Sequence, residues 1–411
     1  MIMQDNEKKP ALRFKGFTDP WEQRKLGDAF ERVVRKNTNN ESRLPLTISA
    51  QDGLVDQITY FNNRVASRDV SNYYLVYNGE FAYNKSTSDG YPFGAVKRLD
   101  WYEKGVLSTL YIVFALKHPE KDDSDFMTVF YDTDRWHRGV AERAAEGARN
   151  HGLLNISADD FFDIDTTMPE DKVEQEKIGR LLKKLDTLIT LHQRKYEKLV
   201  NIKKSMLDKM FPQNGASVPE IRFKGFTDPW EQRKVGTLIE DYTEKTVTQN
   251  QYPVLTSSQQ QGIVLQEDYF ADRQVTTDNN VGYYVLPKGY FTYRSRSDTD
   301  VFVFNRNNIV DKGIISYYYP VFAPKSCDSN FLLRRLNHGI KKQLSMAAEG
   351  TGQKVLAHAK FKNMVVDVPS QSEQEKIGTI LEELDTLITL HQRKLEKLQN
   401  IKKSCLEKMF V

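Results

Sequence analysis

Cysteine is almost missing from this chain of 411 residues, which carries only Cys327 and Cys405. Two cysteines without metal-ligand spacing exclude a disulfide framework and fit a reducing compartment. Long apolar runs are missing as well. The longest, residues 110–116, falls far short of the roughly 20 residues that span a bilayer. The first residues are too polar for an export signal, so a cytoplasmic chain with no membrane partner is expected. Charge of one sign is scarce too: 59 Lys and Arg stand against 56 Asp and Glu, a net charge of +3. That balance alone does not mark a nucleic-acid binder, whose footprint is usually more basic.

Catalytic signatures are absent in the same way. The sequence holds no G-x-x-x-x-G-K-[ST], no H-E-x-x-H, no G-x-S-x-G and no cysteine cluster, each of which would place a phosphate cradle, a zinc pair or a nucleophile on a defined turn. The Asn-Pro-Pro-aromatic tetrapeptide of an amino-methylating DNA methyltransferase is missing, and residues 350–354, GTGQK, lack phosphate-loop spacing. The chain is therefore read as a non-enzyme with no catalytic residue and no metal site.

What the chain does have is duplication. Residues 13–25, RFKGFTDPWEQRK, recur letter for letter at 222–234, and residues 174–211 match 373–410 at 30 of 38 positions. A period near half the chain is too long for a solenoid unit and reads as two copies of a domain plus connector. This divides the chain into a first domain over residues 1–173, a first long helix over 174–212, a second domain over 213–372 and a second long helix over 373–411. The connectors are nearly identical while the domains agree only in ordered patches, such as Tyr60-Phe61 with Tyr269-Phe270. The same fold thus carries two different surfaces.

Residues 180–211 and 379–411 contain neither glycine nor proline and should be helical. Ile178, Leu182, Leu185, Ile189, Tyr196, Leu199, Ile202 and Met206 recur three or four apart, with His192 filling one slot, and Ile377, Leu381, Leu384, Ile388, His391, Leu395, Leu398, Ile401 and Cys405 repeat the pattern. That spacing makes a coiled-coil seam. The nearest partner for each helix is the other copy, paired antiparallel about a pseudo-twofold axis, with the histidines as polar residues that set register. The first connector has ten basic residues against five acidic ones and the second has seven of each, much of it from Lys183-Lys184 against Glu382-Glu383. Surface drift and a partner-sorting role both fit that difference.

Between the connectors, residues 73–77, 80–83 and 110–114 read as strands, matched by 283–286, 290–293 and 317–322, while 135–148 and 337–348 look helical. The fold class is α+β: two mixed, β-rich domains joined by two long antiparallel helices. Polar loops follow the strands. Asn84, Lys85, Ser86 and Ser88 in one copy and Arg294, Ser295 and Arg296 in the other suit phosphates and base edges, as do Ser49 and Gln51, and Ser257, Ser258 and Gln260.

Two divergent domains, each followed by a near-identical helix announced by Pro169…Glu174-Gln175-Glu176-Lys177-Ile178 and Pro369…Glu373-Gln374-Glu375-Lys376-Ile377, resemble the specificity subunit of bacterial type I restriction-modification systems. The blocks 19–27 and 228–236 match the start of that family's target-recognition domains. The resemblance implies that each domain reads half of a bipartite site on double-stranded DNA and that the helices set the spacer. It further implies two methyltransferase subunits docked on the helices and two motor-nuclease subunits. S-adenosylmethionine, ATP and Mg2+ are expected in those partners and no cofactor in this chain. A scaffold with two peptide-binding domains on an antiparallel coiled coil is the competing reading.

Overall fold

The duplication in sequence is a duplication in structure. A computed structural model describes residues 8–144, 152–213, 216–270, 279–299 and 301–411. They form two units, Met1–Gln193 with Arg393–Val411, and Arg194–Gln392.

In the first unit Glu22–Lys25 pairs antiparallel with Asp165–Met168, so the block that repeats in sequence closes the domain onto itself. A four-stranded antiparallel sheet runs Phe30–Arg32, Ile112–Leu116, Phe81–Asn84, Ala95–Arg98 in spatial order. Period-2 alternation turns Phe81, Tyr83 and Phe114 inward to Trp21, Phe30 and Trp136 in an aromatic core. A hairpin, Leu46–Ser49 with Gly53–Asp56, and a second pair, Tyr74–Tyr77 with Lys104–Leu107, complete the β structure. The second unit repeats this plan. Glu231–Lys234 pairs with Val365–Val368, and the sheet runs Ile239–Tyr242, Val321–Pro324, Phe291–Tyr293, Phe304–Arg306. The hairpin is Leu255–Ser258 with Gly262–Leu265, and the second pair is Tyr284–Pro287 with Lys312–Ile315.

Some elements sit differently from expectation. The strands anticipated at 110–114 and 317–322 begin later, at Ile112 and Val321, because residues 108–111 and 316–319 turn, with Tyr111 and Tyr319 N–H donating to Ser108 and Ser316 C=O. The helix anticipated over 337–348 is Lys341–Ala347, and a separate helix, Ser329–Asn337, ends where it was expected to begin. Gly339 between them has φ +94°, a conformation that interrupts a right-handed helix and suits glycine. The helix anticipated over 135–148 is His137–Arg143, and residues 145–148 lie outside the described residues.

Each long helix has 38 residues, Lys172–Lys209 and Gln371–Lys408, and starts eight residues before the glycine-free stretch. Its first turns explain the repeated Glu-Gln-x-x-Ile-Gly pattern. Glu174, 1% exposed, takes Arg13 Nε at 2.6 Å and Nη2 at 2.8 Å. Gln175 Oε1 accepts Asp123 N–H at 2.8 Å while its Nε2 donates to Pro169 C=O at 2.9 Å, and Asp123 in turn caps the helix Ser124–Phe130. A side chain at Gly179 would bring its Cβ to 2.6 Å from Phe126 N, so only glycine lets the two helices approach. Arg222, Glu373, Gln374, Asp328 and Gly378 rebuild this lock in the second unit.

The far ends of the helices are exchanged. Cys405, Met409 and Phe410 belong to the core of the first unit, Phe410 stacking on Phe126 at 5.6 Å and meeting Trp21 edge-on. Met210 and Phe211 belong to the core of the second, where Phe211 stacks on Phe331 at 5.9 Å. Each unit is thus closed by the start of one long helix and the end of the other, antiparallel, with Asp186 paired to Lys402 at 2.7 Å in the first and Lys203 to Asp385 in the second. Both cysteines are buried and free. Burial, helped by Asp328, pushes the Cys327 thiol up to about 12.

Replacing Glu174 or Arg13 by alanine strands a charge in a dry site. Each should destabilise the chain by about 3–5 kcal/mol, read by chemical denaturation, whereas exposed Lys184→Ala should stay within about 0.5 kcal/mol of the parent.

Candidate nucleic-acid interface

In the second unit the hairpin of residues 255–265, the turn of residues 316–319 and the short strand Arg296–Ser297, paired with Lys354–Val355, enclose an open cleft of about 960 Å3. Ser257, Ser258, Gln260, Arg294 and Arg296 all line it. Asn305 Nδ2 donates to Ser257 Oγ and Ser258 C=O, both at 2.8 Å, and Ser258 Oγ accepts the N–H groups of Gln260 and Gln261 at 3.2 Å. These bonds hold the hairpin tip and leave Gln260 exposed. Ser295 is not in the lining; its hydroxyl donates to Tyr318 C=O at 2.7 Å and ties the turn to the strand. The Arg296 guanidinium lies 4.4 Å from the Tyr318 ring centroid, and Arg294 is 3.9 Å from Asp298.

The first unit arranges the corresponding residues otherwise. Its cleft, about 910 Å3, lies at a different place, against the long helices at Lys183 and Lys402, and includes Gln51 but none of Ser49, Asn84, Lys85, Ser86 and Ser88. Ser49 is buried, with its hydroxyl on Asp52 at 2.8 Å. Asn84 Oδ1 accepts Ser86 N–H at 3.0 Å, and Lys85 Nζ reaches Ile156 C=O at 3.3 Å. Ser86 and Ser88 are exposed on a turn bridged to Leu153 and Tyr91. The cleft wall instead offers Trp101, 72% exposed, beside Lys97 and Arg98. Its cations are already engaged, Lys97 and Lys402 by Asp132 and Arg98 by Asp100 and Asp125.

Sequence reasoning missed Trp101, Tyr317 and Tyr318. The signal for the tyrosines was present: residues 317–319 read Tyr-Tyr-Tyr where the first copy has Thr109-Leu110-Tyr111, a divergence at a turn rather than a strand.

Of the residues expected to pair the helices, Leu185 and Leu384 are buried in the cores, Leu398 and Leu199 pack against the first and second cores, and Ile189, His192, Tyr196, Ile388, His391 and Leu395 are half-buried. Ile202 and Ile401, placed in the seam from their spacing, are exposed instead; the neighbouring Lys203 and Lys402 turn inward to their aspartates. The Lys183/Glu382 difference also acquires a cause. Lys183 faces Asp100 at 3.4 Å, whereas Glu382 meets Arg334 at 2.9 Å and Arg306 at 3.8 Å. The helix charge follows the domain on which it lies. Among the described residues no group of His, Cys, Asp or Glu is arranged to hold a metal, and no helix is long and apolar enough to cross a membrane.

Residues 228–400 match the family described as type I restriction modification DNA specificity domain. A crystal structure of the S subunit of a type I restriction-modification system from M. genitalium aligns over 98% of this chain and 99% of its own, with a TM-score of 0.58 at 13% identity, a likeness of fold. The HsdS subunit from Thermoanaerobacter tengcongensis aligns over 95% and 96%, more loosely, with a TM-score of 0.41 at 15% identity. The match to the DNA specificity domain thus falls in the second half, and the first half repeats its strands and its helix lock. In fold the chain as a whole is similar to the S subunit of a type I restriction-modification system.

Glu382→Lys would place three cations together and should cost the second unit on the order of 1 kcal/mol, while Glu383→Lys, on the exposed face, should be near neutral. Urea melts of the two variants check this.

Proposed function

We propose that this chain gives a type I restriction-modification complex its DNA specificity. Each unit reads one half of a bipartite site on double-stranded DNA, and the paired helices set the spacer and dock two methyltransferase subunits. Two motor-nuclease subunits complete the restriction enzyme. S-adenosylmethionine serves the methyltransferases, and ATP with Mg2+ the motors; this chain supplies geometry and contacts.

The observation that carries the reading is one fold present twice with near-identical helices and unlike clefts. Ser257, Ser258, Gln260, Arg294 and Arg296 remain the proposed DNA contacts of the second unit. In the first, Gln51, Ser86 and Ser88 are the proposed contacts, with Asn84 and Lys85 bonded within the turn that carries Ser86 and Ser49 bonded within the hairpin tip that carries Gln51. Joining two readers makes the second engagement intramolecular, so modest half-site energies combine. A helix of 38 residues is a rod of about 57 Å. One turn of B-DNA is about 34 Å, so such a rod suits two half-sites on one face of a duplex.

The test is to lengthen the ruler. One helical turn inserted after Arg194 and another after Arg393, with a methyltransferase partner coexpressed, should lengthen the recognised spacer by about one to two base pairs. Both half-sites should stay as they were, as read by mapping methylated adenines. An unaltered spacer rejects the ruler. Failure of the partnered chain to retain duplex DNA even at low salt would return it to the peptide-scaffold class.

A further inference from the structure

The two units place different side chains at equivalent points of one fold. Counting from the shared aromatic strands, Arg296 stands where the first unit has Ser86, and Tyr318 where it has Leu110. Arg296 is held from both sides. Its backbone is in the strand paired with Lys354–Val355, and its guanidinium lies 4.4 Å from the ring centroid of Tyr318. Tyr318 is itself fixed, its C=O taking the Ser295 hydroxyl at 2.7 Å and its own hydroxyl accepting that of Tyr317 at 3.2 Å. No carboxylate among the described residues pairs with Arg296, unlike Arg294 beside Asp298 or Arg334 beside Glu382.

A guanidinium stacked on a ring keeps its fork of N–H donors directed outward and loses little freedom on binding. The base edge that accepts such a fork is guanine, through O6 and N7 in the major groove. A phosphate would accept it too, but a phosphate can also be held by a mobile point charge such as Lys, with no need of a fixed fork. Building a strand, a hydroxyl pair and an aromatic platform around one arginine fits recognition of a fixed planar edge.

Resting on the DNA-reading function proposed above, we infer that Arg296 reads a guanine in the half-site taken by the second unit and that Tyr318 is its positioning residue. The first unit, with Ser86 and Leu110 at these points, has no such arginine and ring there.

The experiment uses the full chain with its methyltransferase partner and duplexes carrying the mapped site, each base pair of both half-sites varied in turn. Arg296→Ala should erase discrimination at a single G·C pair of one half-site, a loss of about 5- to 100-fold, and leave the other half-site unchanged. Arg296→Lys should lose it as well. Tyr318→Ala should weaken discrimination at the same pair, and Tyr318→Phe, which keeps the ring, should restore it. The inference is overturned if Arg296→Ala weakens every sequence equally while Arg296→Lys binds normally, the mark of a phosphate contact, or if recognition is unchanged in both. Absence of any chain-dependent methylation motif in the parent complex would sink the DNA-reading function itself. A two-part motif indifferent to Arg296 would sink only this assignment.

Discussion

A glutamate sealed from water at the start of each long helix is held there by an arginine fork, and the rest of the architecture follows from that pairing. The Arg13 and Arg222 forks come from the repeated block that opens each domain, while Glu174 and Glu373 come from the connector that follows it. The interaction therefore ties the first and last elements of a domain, and the adjoining glutamine and glycine bring a third, the helix capped by Asp123 or Asp328, into the same joint. A long helix free to swivel on its domain could not hold a reading surface in a fixed direction. A buried charge pair contributes little net stability, yet it tolerates few alternative geometries, which suits a joint better than an apolar contact would.

The same arrangement explains why the connectors stay alike while the domains diverge. Each helix serves two cores: Ile178, Leu182 and Leu185 pack into the first, and Met210 and Phe211 of the same helix pack into the second. A substitution near either end must satisfy a core it shares with the other helix. Positions where the two helices differ bear this out. Lys184 and Glu383 are exposed, Lys183 and Glu382 each answer the charge of their own domain, and Met206 and Cys405 fill the corresponding slots of different cores. The clefts lie on hairpins and turns away from the joint, where side chains can change without disturbing packing.

Much of this was legible in the residues. Apolar spacing located both helices and most of the seam, and the repeat in sequence reappears as two units built on one plan. What spacing could not reveal was which of two adjacent positions turns inward, so Ile202 and Ile401 were placed where Lys203 and Lys402 go; an aspartate across the seam outweighs apolar burial there, and it lies near residue 186 or 385, far away in sequence. Nothing in the sequence showed why residues 179 and 378 must be glycine, because a close approach between helices leaves no local mark. The polar loops were the least legible. Ser, Asn and Lys after a strand serve equally to tie a turn internally, as Ser49, Asn84 and Lys85 do, or to face outward, as Gln260 does, and only tertiary neighbours decide between the two.

Charge distribution bears on how the two units divide their task. The cations around the first cleft are largely spent on aspartates of the same unit, whereas the second cleft presents Arg294 and Arg296 with Asp298 as the one carboxylate lining it among the described residues. With a net charge of +3 over the whole chain, little electrostatic attraction is left for an arbitrary duplex, since non-specific affinity grows with the number of phosphates neutralised. On the proposed function this is an asset. A reader that holds any DNA tightly spends its time on wrong sites, while one that gains its hold only when two weak engagements coincide discriminates by the product of both. The near-neutral composition, which at first argues against nucleic acid, then becomes a condition for specificity, with bulk affinity left to the partners.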